Sequence, residues 1–200
     1  MPFLKERKVF EVKPTYGSDR HAMQKSYHSH GSKTKVSVVY SKEGIENWRK
    51  IFRNQGIRLQ VIKTDEGTTL FFTYNPEWIE EILSNTFIKS YLCGKKYPVK
   101  HGTQAILKEF FARLKTRQDF PHEAGIFLGY PFEDVISFEK NEGKNCKYCG
   151  YWKSYTNPEE AKICCNRYVN CCRMCKQWFD EGFSVSQIIE QYKQATEGVA

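Results

Sequence analysis

The sequence predicts an α+β fold, a small strand–helix–hairpin core with packed helices followed by a cysteine-rich helical C-terminal segment. Three observations predict it. Apolar residues alternate at Val36, Val38 and Tyr40 and again at Ile57, Leu59 and Val61, as half-buried strands require. Helically spaced stripes lie between and after them. Seven of the eight cysteines fall between Cys146 and Cys175, in a stretch that reads mostly as helix. These features divide the chain into an arm over 1–32, expected to be mobile, an α+β core over 33–140, and a cysteine-rich helical segment over 141–200.

The arm carries little periodicity, and 16–32 is rich in Ser, His and Gly. His28 and His30 there read as solvated side chains rather than ligands. After the strand at 36–40, Ser41 caps a helix whose inward residues are Ile45, Trp48, Ile51 and Phe52, and Gly56 ends it. Residues 57–61 and 69–74 form a hairpin around the turn Asp65-Glu66-Gly67. Asn75-Pro76 opens the next helix, with Asn as N-cap and Pro at the first helical position. Its stripe is Trp78, Ile79, Ile82 and Leu83, and Gly94 and Pro98 break the chain. Another stripe runs through Ile106, Leu107, Phe110, Phe111 and Leu114. Residues 120–128 read as a buried connector or short strand, and Gly129 as a turn. Pro131 opens a short helix with Glu133 and Asp134 in its first turn, where acids suit the macrodipole. Val135, Ile136 and Phe138 are expected to pack back on the core. Near the end, Gly182 closes one helix, and Ser184 with Gln187 makes a capping box for the next, whose apolar face is Val185, Ile188, Ile189 and Tyr192.

Two hundred residues at 40% hydrophobic content suffice for one core. No run approaches the ~18 apolar residues of a membrane helix, and the opening MPFLKERKVFEVKP is too charged for a signal-peptide apolar region. A cytoplasmic location is therefore expected, where thiols stay reduced and serve metals or catalysis more than disulfides. The net charge of +8 and a pI near 9.0 permit nucleic acid or an acidic protein as partner. Because the bases are spread along the chain, solvated lysines account for most of that charge.

The cysteines carry the chemistry. Cys146 and Cys149 form a Cys-x-x-Cys pair followed by Gly150, and Cys172 and Cys175 form a second. Two such pairs supply the four thiolates of a tetrahedral site, so Cys146, Cys149, Cys172 and Cys175 are the expected ligands, of zinc or of an iron–sulfur cluster. Cys164, Cys165 and Cys171 are alternates. In a helix over 158–181, Cys164, Tyr168, Cys171 and Cys175 share a face, with Cys165 and Cys172 beside it. Neighbouring Lys147, Lys153, Lys162, Arg167, Arg173 and Lys176 favour thiolate, which suits a metal and equally a dithiol redox pair at Cys146 and Cys149. The lone Cys93 reads as a buried small apolar residue.

The run Phe120-Pro121-His122-Glu123-x-Gly125-Ile126-Phe127-Leu128-Gly129-Tyr130-Pro131-x-Glu133-Asp134-Val135 resembles the central signature of the domain of unknown function 3793 family. Gly143-Lys144-Asn145 and Cys149-Gly150-Tyr151-Trp152-Lys153-x-Tyr155 resemble its tail motif. The likeness is close over 120–168 and looser over 33–119. It implies a family of mainly anaerobic Firmicutes with no assigned reaction, encoded near flavodoxin and ferrous-iron uptake genes, and hence a redox or iron-handling partner. Where members carry a cysteine near the domain start, this chain has Ser29-His30-Gly31, so no role transfers there.

No catalytic residue is assigned. His122 and Glu123 invite a general-base reading, but no partner nucleophile is identifiable, and a histidine holding a connector by a backbone hydrogen bond explains the pair. Walker, Gly-x-Gly-x-x-Gly, Gly-x-Ser-x-Gly and His-Glu-x-x-His motifs are missing. Three functions follow in order: a non-enzymatic metal-binding protein, a thiol–disulfide protein using Cys146 and Cys149, and a nucleic-acid or acidic-protein adaptor. The last rests on charge and on a terminal helix pair that resembles part of a helix-turn-helix.

Overall fold

The computed structural model describes residues 42–63, 69–116 and 121–197. The expected arm, the strand at 36–40, the cap at Ser41, the hairpin turn at 65–67 and Phe120 lie outside the described residues.

Helix α1 (Lys42–Asn54) stacks Trp48 on Phe52, ring centroids 5.8 Å apart, and buries Phe52. Gly56 at φ +75° closes it, with the Ile57 N–H donating to Phe52 O. Strands β1 (Arg58–Lys63) and β2 (Thr69–Tyr74) pair antiparallel, with Val61 opposite Phe71. Asn75 then caps α2 (Pro76–Ser84), its Oδ1 accepting from the Glu77 and Trp78 N–H groups at 2.8 and 3.3 Å.

One inward stripe here becomes two helices. Asn85 takes an extended conformation (ψ 124°) and caps α3 (Thr86–Gly94), accepting from Phe87 and Ile88. A 3-10 turn (Val99–His101) leads into α4 (Thr103–Thr116). Both stripes are core, as their spacing predicts. Ile79, Ile82 and Leu83 of α2 and Ile106, Leu107, Phe110 and Leu114 of α4 are all buried. Phe110 stacks flat on Phe127 at 4.0 Å, and Phe72 of β2 meets Phe110 edge-on at 5.5 Å, which ties the hairpin to the helices.

The segment expected as a connector or short strand is buried, but it is helical: α5 (Ala124–Phe127) is a short turn of helix. Turn hydrogen bonds from Ala124 N–H to Pro121 O and from Ile126 N–H to Glu123 O wind it. Gly125 lets it approach the next helix, since a Cβ there would lie 2.8 Å from Val135 Cγ2. Helix α6 (Phe132–Lys140) buries Asp134 and Val135 and leaves Ile136 exposed, against the expectation that Ile136 packs inward. The helical phase that turns Val135 inward takes Asp134 with it and points Ile136 out.

A small hairpin, β3 (Tyr148–Cys149) and β4 (Lys153–Ser154), precedes the long α7 (Pro158–Asp180) and the final α8 (Val185–Glu197). Gly182 (φ +100°) lets the chain turn out of α7. The capping box forms as its sequence predicts: Ser184 N–H donates to Gln187 Oε1 at 2.9 Å and Gln187 N–H to Ser184 Oγ at 3.4 Å. Helix α8 buries Ile188 and Ile189 and reaches the turn after α1, where the Gln55 side chain bonds Glu190 and Lys193. Among the described residues no helix is long and apolar enough to cross a membrane.

Candidate thiol site

The Cys146–Cys149 stretch is fixed from below by one carboxylate. Asp134, 2% exposed, accepts four hydrogen bonds. They come from the Trp152 indole N–H (2.8 Å), the Tyr155 N–H (2.8 Å), the Thr156 N–H (3.0 Å) and the Thr156 hydroxyl (2.9 Å). Burial alone would raise its pKa, but these donors outweigh burial and hold the carboxyl below the usual range. Trp152 also stacks on Tyr130 at 5.2 Å, and the Lys153 ammonium donates to Gly143 O at 2.6 Å. The hairpin is thus bolted to α6 and the loop after it. Asn157 then starts α7, accepting from Glu160 N–H at 3.2 Å.

Cross-strand pairing sets Cys149 opposite Lys153, and the Gly150 N–H donates to Trp152 O across the tip. Cys149 is exposed and Cys146 half-buried. Of the α7 cysteines, it is Cys165 that reaches this turn. Its Sγ is buried and accepts from the Tyr151 N–H at 3.3 Å. A Cβ on Gly150 would sit 2.5 Å from that sulfur and 2.7 Å from Tyr148 Cε1, so only glycine fits. Gly150→Ala is therefore expected to push α7 off the hairpin, lowering stability by about 1–3 kcal/mol. Faster alkylation of Cys165 in the native protein would report the displacement; an unchanged rate would show that the contact does not hold the helix.

Two tyrosines interact with the remaining sulfurs. Burial, then Cys172 and Cys165, raise the Tyr151 hydroxyl, and burial followed by Cys164 raises Tyr168. Tyr151 and Tyr168 meet edge-on at 5.2 Å. Cys171 and Cys175 lie 4.0 Å apart, sulfur to sulfur, on the shared face that helical spacing predicts. Cys172 and Cys175 stand inside a continuous helix, not in a turn, because nothing between Asn157 and Gly182 breaks α7. Among the described residues no three His, Cys, Asp or Glu side chains converge as a metal site. Cys93 is exposed on α3, correcting the expectation that it is buried; its neighbour Leu92 takes the core position.

Among the described residues the buried Ser154 and Tyr155 hydroxyls have no hydrogen-bond partner. Burial raises the Tyr155 hydroxyl, and Cys146, Asp134 and Cys149 add to the rise. Neither hydroxyl is singled out by sequence, although Tyr155 closes the tail motif.

His122 is exposed and rests on Phe138, ring centroids 5.4 Å apart. Glu123 is buried and already engaged, accepting from the Tyr97 hydroxyl and from Arg113 Nη1, each at 2.9 Å. Glu133 is exposed, so the paired acids divide into one solvated and one structural residue.

A family described as a protein of unknown function (DUF3793) matches residues 22–189. The chain belongs to this family. The DUF3793 match extends beyond the 33–168 over which its motifs are legible and takes in every cysteine of α7. No curated protein and no solved structure matches the chain. Membership brings no reaction with it, so function rests on the thiols themselves.

Proposed function

We propose that the C-terminal segment binds a thiophilic metal, zinc by default or an iron–sulfur cluster, through Cys146 and Cys149 with thiols of α7, the expected Cys172 and Cys175 or the alternate Cys165. Cys175 and the alternates Cys164 and Cys171 lie on the neighbouring face of α7. The observation that carries this reading is Cys165 Sγ seated on the Cys146–Gly150 turn, held by the Tyr151 N–H. Among the described residues no three candidate ligands converge, so the ion itself would have to draw the thiols together, as in small zinc domains where binding free energy is folding free energy. The role is binding or structural rather than catalytic, consistent with a cytoplasmic protein that serves iron or redox metabolism.

Protein purified anaerobically is expected to carry near-stoichiometric zinc or iron. A colourless zinc form indicates the mononuclear site, and a visible charge-transfer band the cluster. Cys146→Ser with Cys149→Ser should abolish loading, while Cys93→Ser should leave it intact. Elemental analysis without near-stoichiometric zinc or iron would remove the proposal. Cycling of a Cys146–Cys149 disulfide in metal-free protein would favour the dithiol alternative. The adaptor alternative rests on the net charge and on the terminal helix pair α7–α8.

A further inference from the structure

We propose that the tip of the β3–β4 hairpin and the adjoining side of α7 bind single-stranded nucleic acid, with Tyr151 stacking on a base and Lys162, Arg173 and Lys176 taking the phosphates. Tyr151 is 48% exposed, and its backbone is held at both of its polar groups. The Tyr151 N–H donates to Cys165 Sγ at 3.3 Å, and the Tyr130 hydroxyl donates to Tyr151 O at 3.3 Å. Its ring meets Tyr168 edge-on at 5.2 Å. The exposure of this ring is therefore built into a fixed turn. A solvent-open aromatic on a rigid element is what base stacking needs, because every base offers a π-face and little ordering entropy is lost on contact.

The charge beside it has the matching sign. From Lys144 to Lys176 the chain carries seven Lys and Arg against two acids, Glu159 and Glu160, both in the first turn of α7. On the hairpin, Lys147 and Lys153 donate to Thr156 O and Gly143 O and so serve the fold. Lys162, Val169, Arg173 and Lys176 fall on one side of α7 at about 100° per residue, and all four are exposed. Lys176 also pairs with Asp180 one turn further on. Cys165 and Cys172 stand between this stripe and Tyr168 on the helix, so the stripe runs beside the turn that carries Tyr151. Lys162 to Lys176 spans roughly 21 Å of helix, the length of several nucleotides. A ring at a hairpin tip reaches an unstacked base and not one inside a duplex, so a single strand is the partner. An acidic peptide would match the bases of α7 but would leave the aromatic contact unused. The surface uses the hairpin side of α7 rather than its turn into α8, and no thiol takes part in it.

Fluorescence anisotropy of labelled oligo-U and oligo-dT, each of about 12 nucleotides, tests this on the full-length protein. Binding at low salt is expected, and it should be weaker for a duplex or an abasic strand of the same length. Tighter binding of oligo-U assigns RNA, and of oligo-dT, DNA. Tyr151→Ala should weaken binding by about 5- to 150-fold, the loss of one stacked base, while Tyr151→Phe should keep it, since the ring and not the hydroxyl makes the contact. Arg173→Ala should lower the slope of log K against log salt by about 0.7. The abasic comparison is made on the wild-type protein, so it does not rely on any variant folding. No binding at low salt, equal affinity for the abasic strand or for polyglutamate, or unchanged affinity in Tyr151→Ala would each overturn the proposal.

Discussion

Asp134→Ala is expected to destabilise the protein by about 3–4 kcal/mol, because several donors lose their acceptor inside the fold. The Trp152 indole N–H, the Tyr155 and Thr156 N–H groups and the Thr156 hydroxyl all converge on this carboxylate. Asp134→Asn keeps the shape but sets an amide among donors, and a smaller loss of about 2 kcal/mol is expected. The damage should be local before it is global. Both variants should expose Cys146 and Cys149 to alkylation well below the denaturant midpoint, since the hairpin loses its attachment to α6. A loss under about 1 kcal/mol for the alanine variant, with unchanged alkylation, would show that the hairpin is held by Trp152 stacking and packing instead.

The same carboxylate predicts a pH dependence. Its folded pKa lies below the unfolded value of about 3.9, so the folded state holds fewer protons there. Its contribution is fully present above that unfolded value and is lost as pH falls through the folded one. Glu139 acts in the same direction, chiefly through its hydrogen bond from Lys95. Acid should therefore unfold the wild type below about pH 4, and Asp134→Asn should flatten the slope there without flattening it near neutrality.

The ends of elements are legible in the sequence because they are local. Gly56, Asn75-Pro76, Gly182 and the Ser184–Gln187 box act within a few residues, and each does what its type predicts. Asp134 is illegible for the opposite reason. Its donors stand 18 to 22 residues away, and a first-turn acid already has a sufficient local explanation. Ile136 fails with it, since the helical phase that buries Val135 and Asp134 points the next residue outward. In the thiol segment, periodicity tells which cysteines share a face of α7. It does not tell which face meets the hairpin, and that is decided by the missing side chain of Gly150, into whose place Cys165 packs.

Glu123→Ala is the second large effect. The residue that invites a general-base reading is the acceptor of a buried network. Arg113 donates to Glu123 at 2.9 Å, to Glu109 at 2.8 Å and to Lys95 O at 2.8 Å, with its guanidinium 4.0 Å from the Tyr97 ring centre. The Tyr97 hydroxyl completes the set. This network pins the turn before α5 to α4 and to the end of α3, which accounts for a Pro-His-Glu sequence there without catalysis. Removing the carboxylate leaves a partly buried guanidinium and a buried hydroxyl short of a partner, at an expected cost of about 3–5 kcal/mol. Arg113→Ala should cost a similar amount, because it leaves the charge of Glu123 buried with Tyr97 alone. Since the two side chains share one network, the double variant should fall short of the sum by more than about 1 kcal/mol. Additive losses measured by denaturant titration would dissolve the network and return Glu123 to consideration as a reactive group.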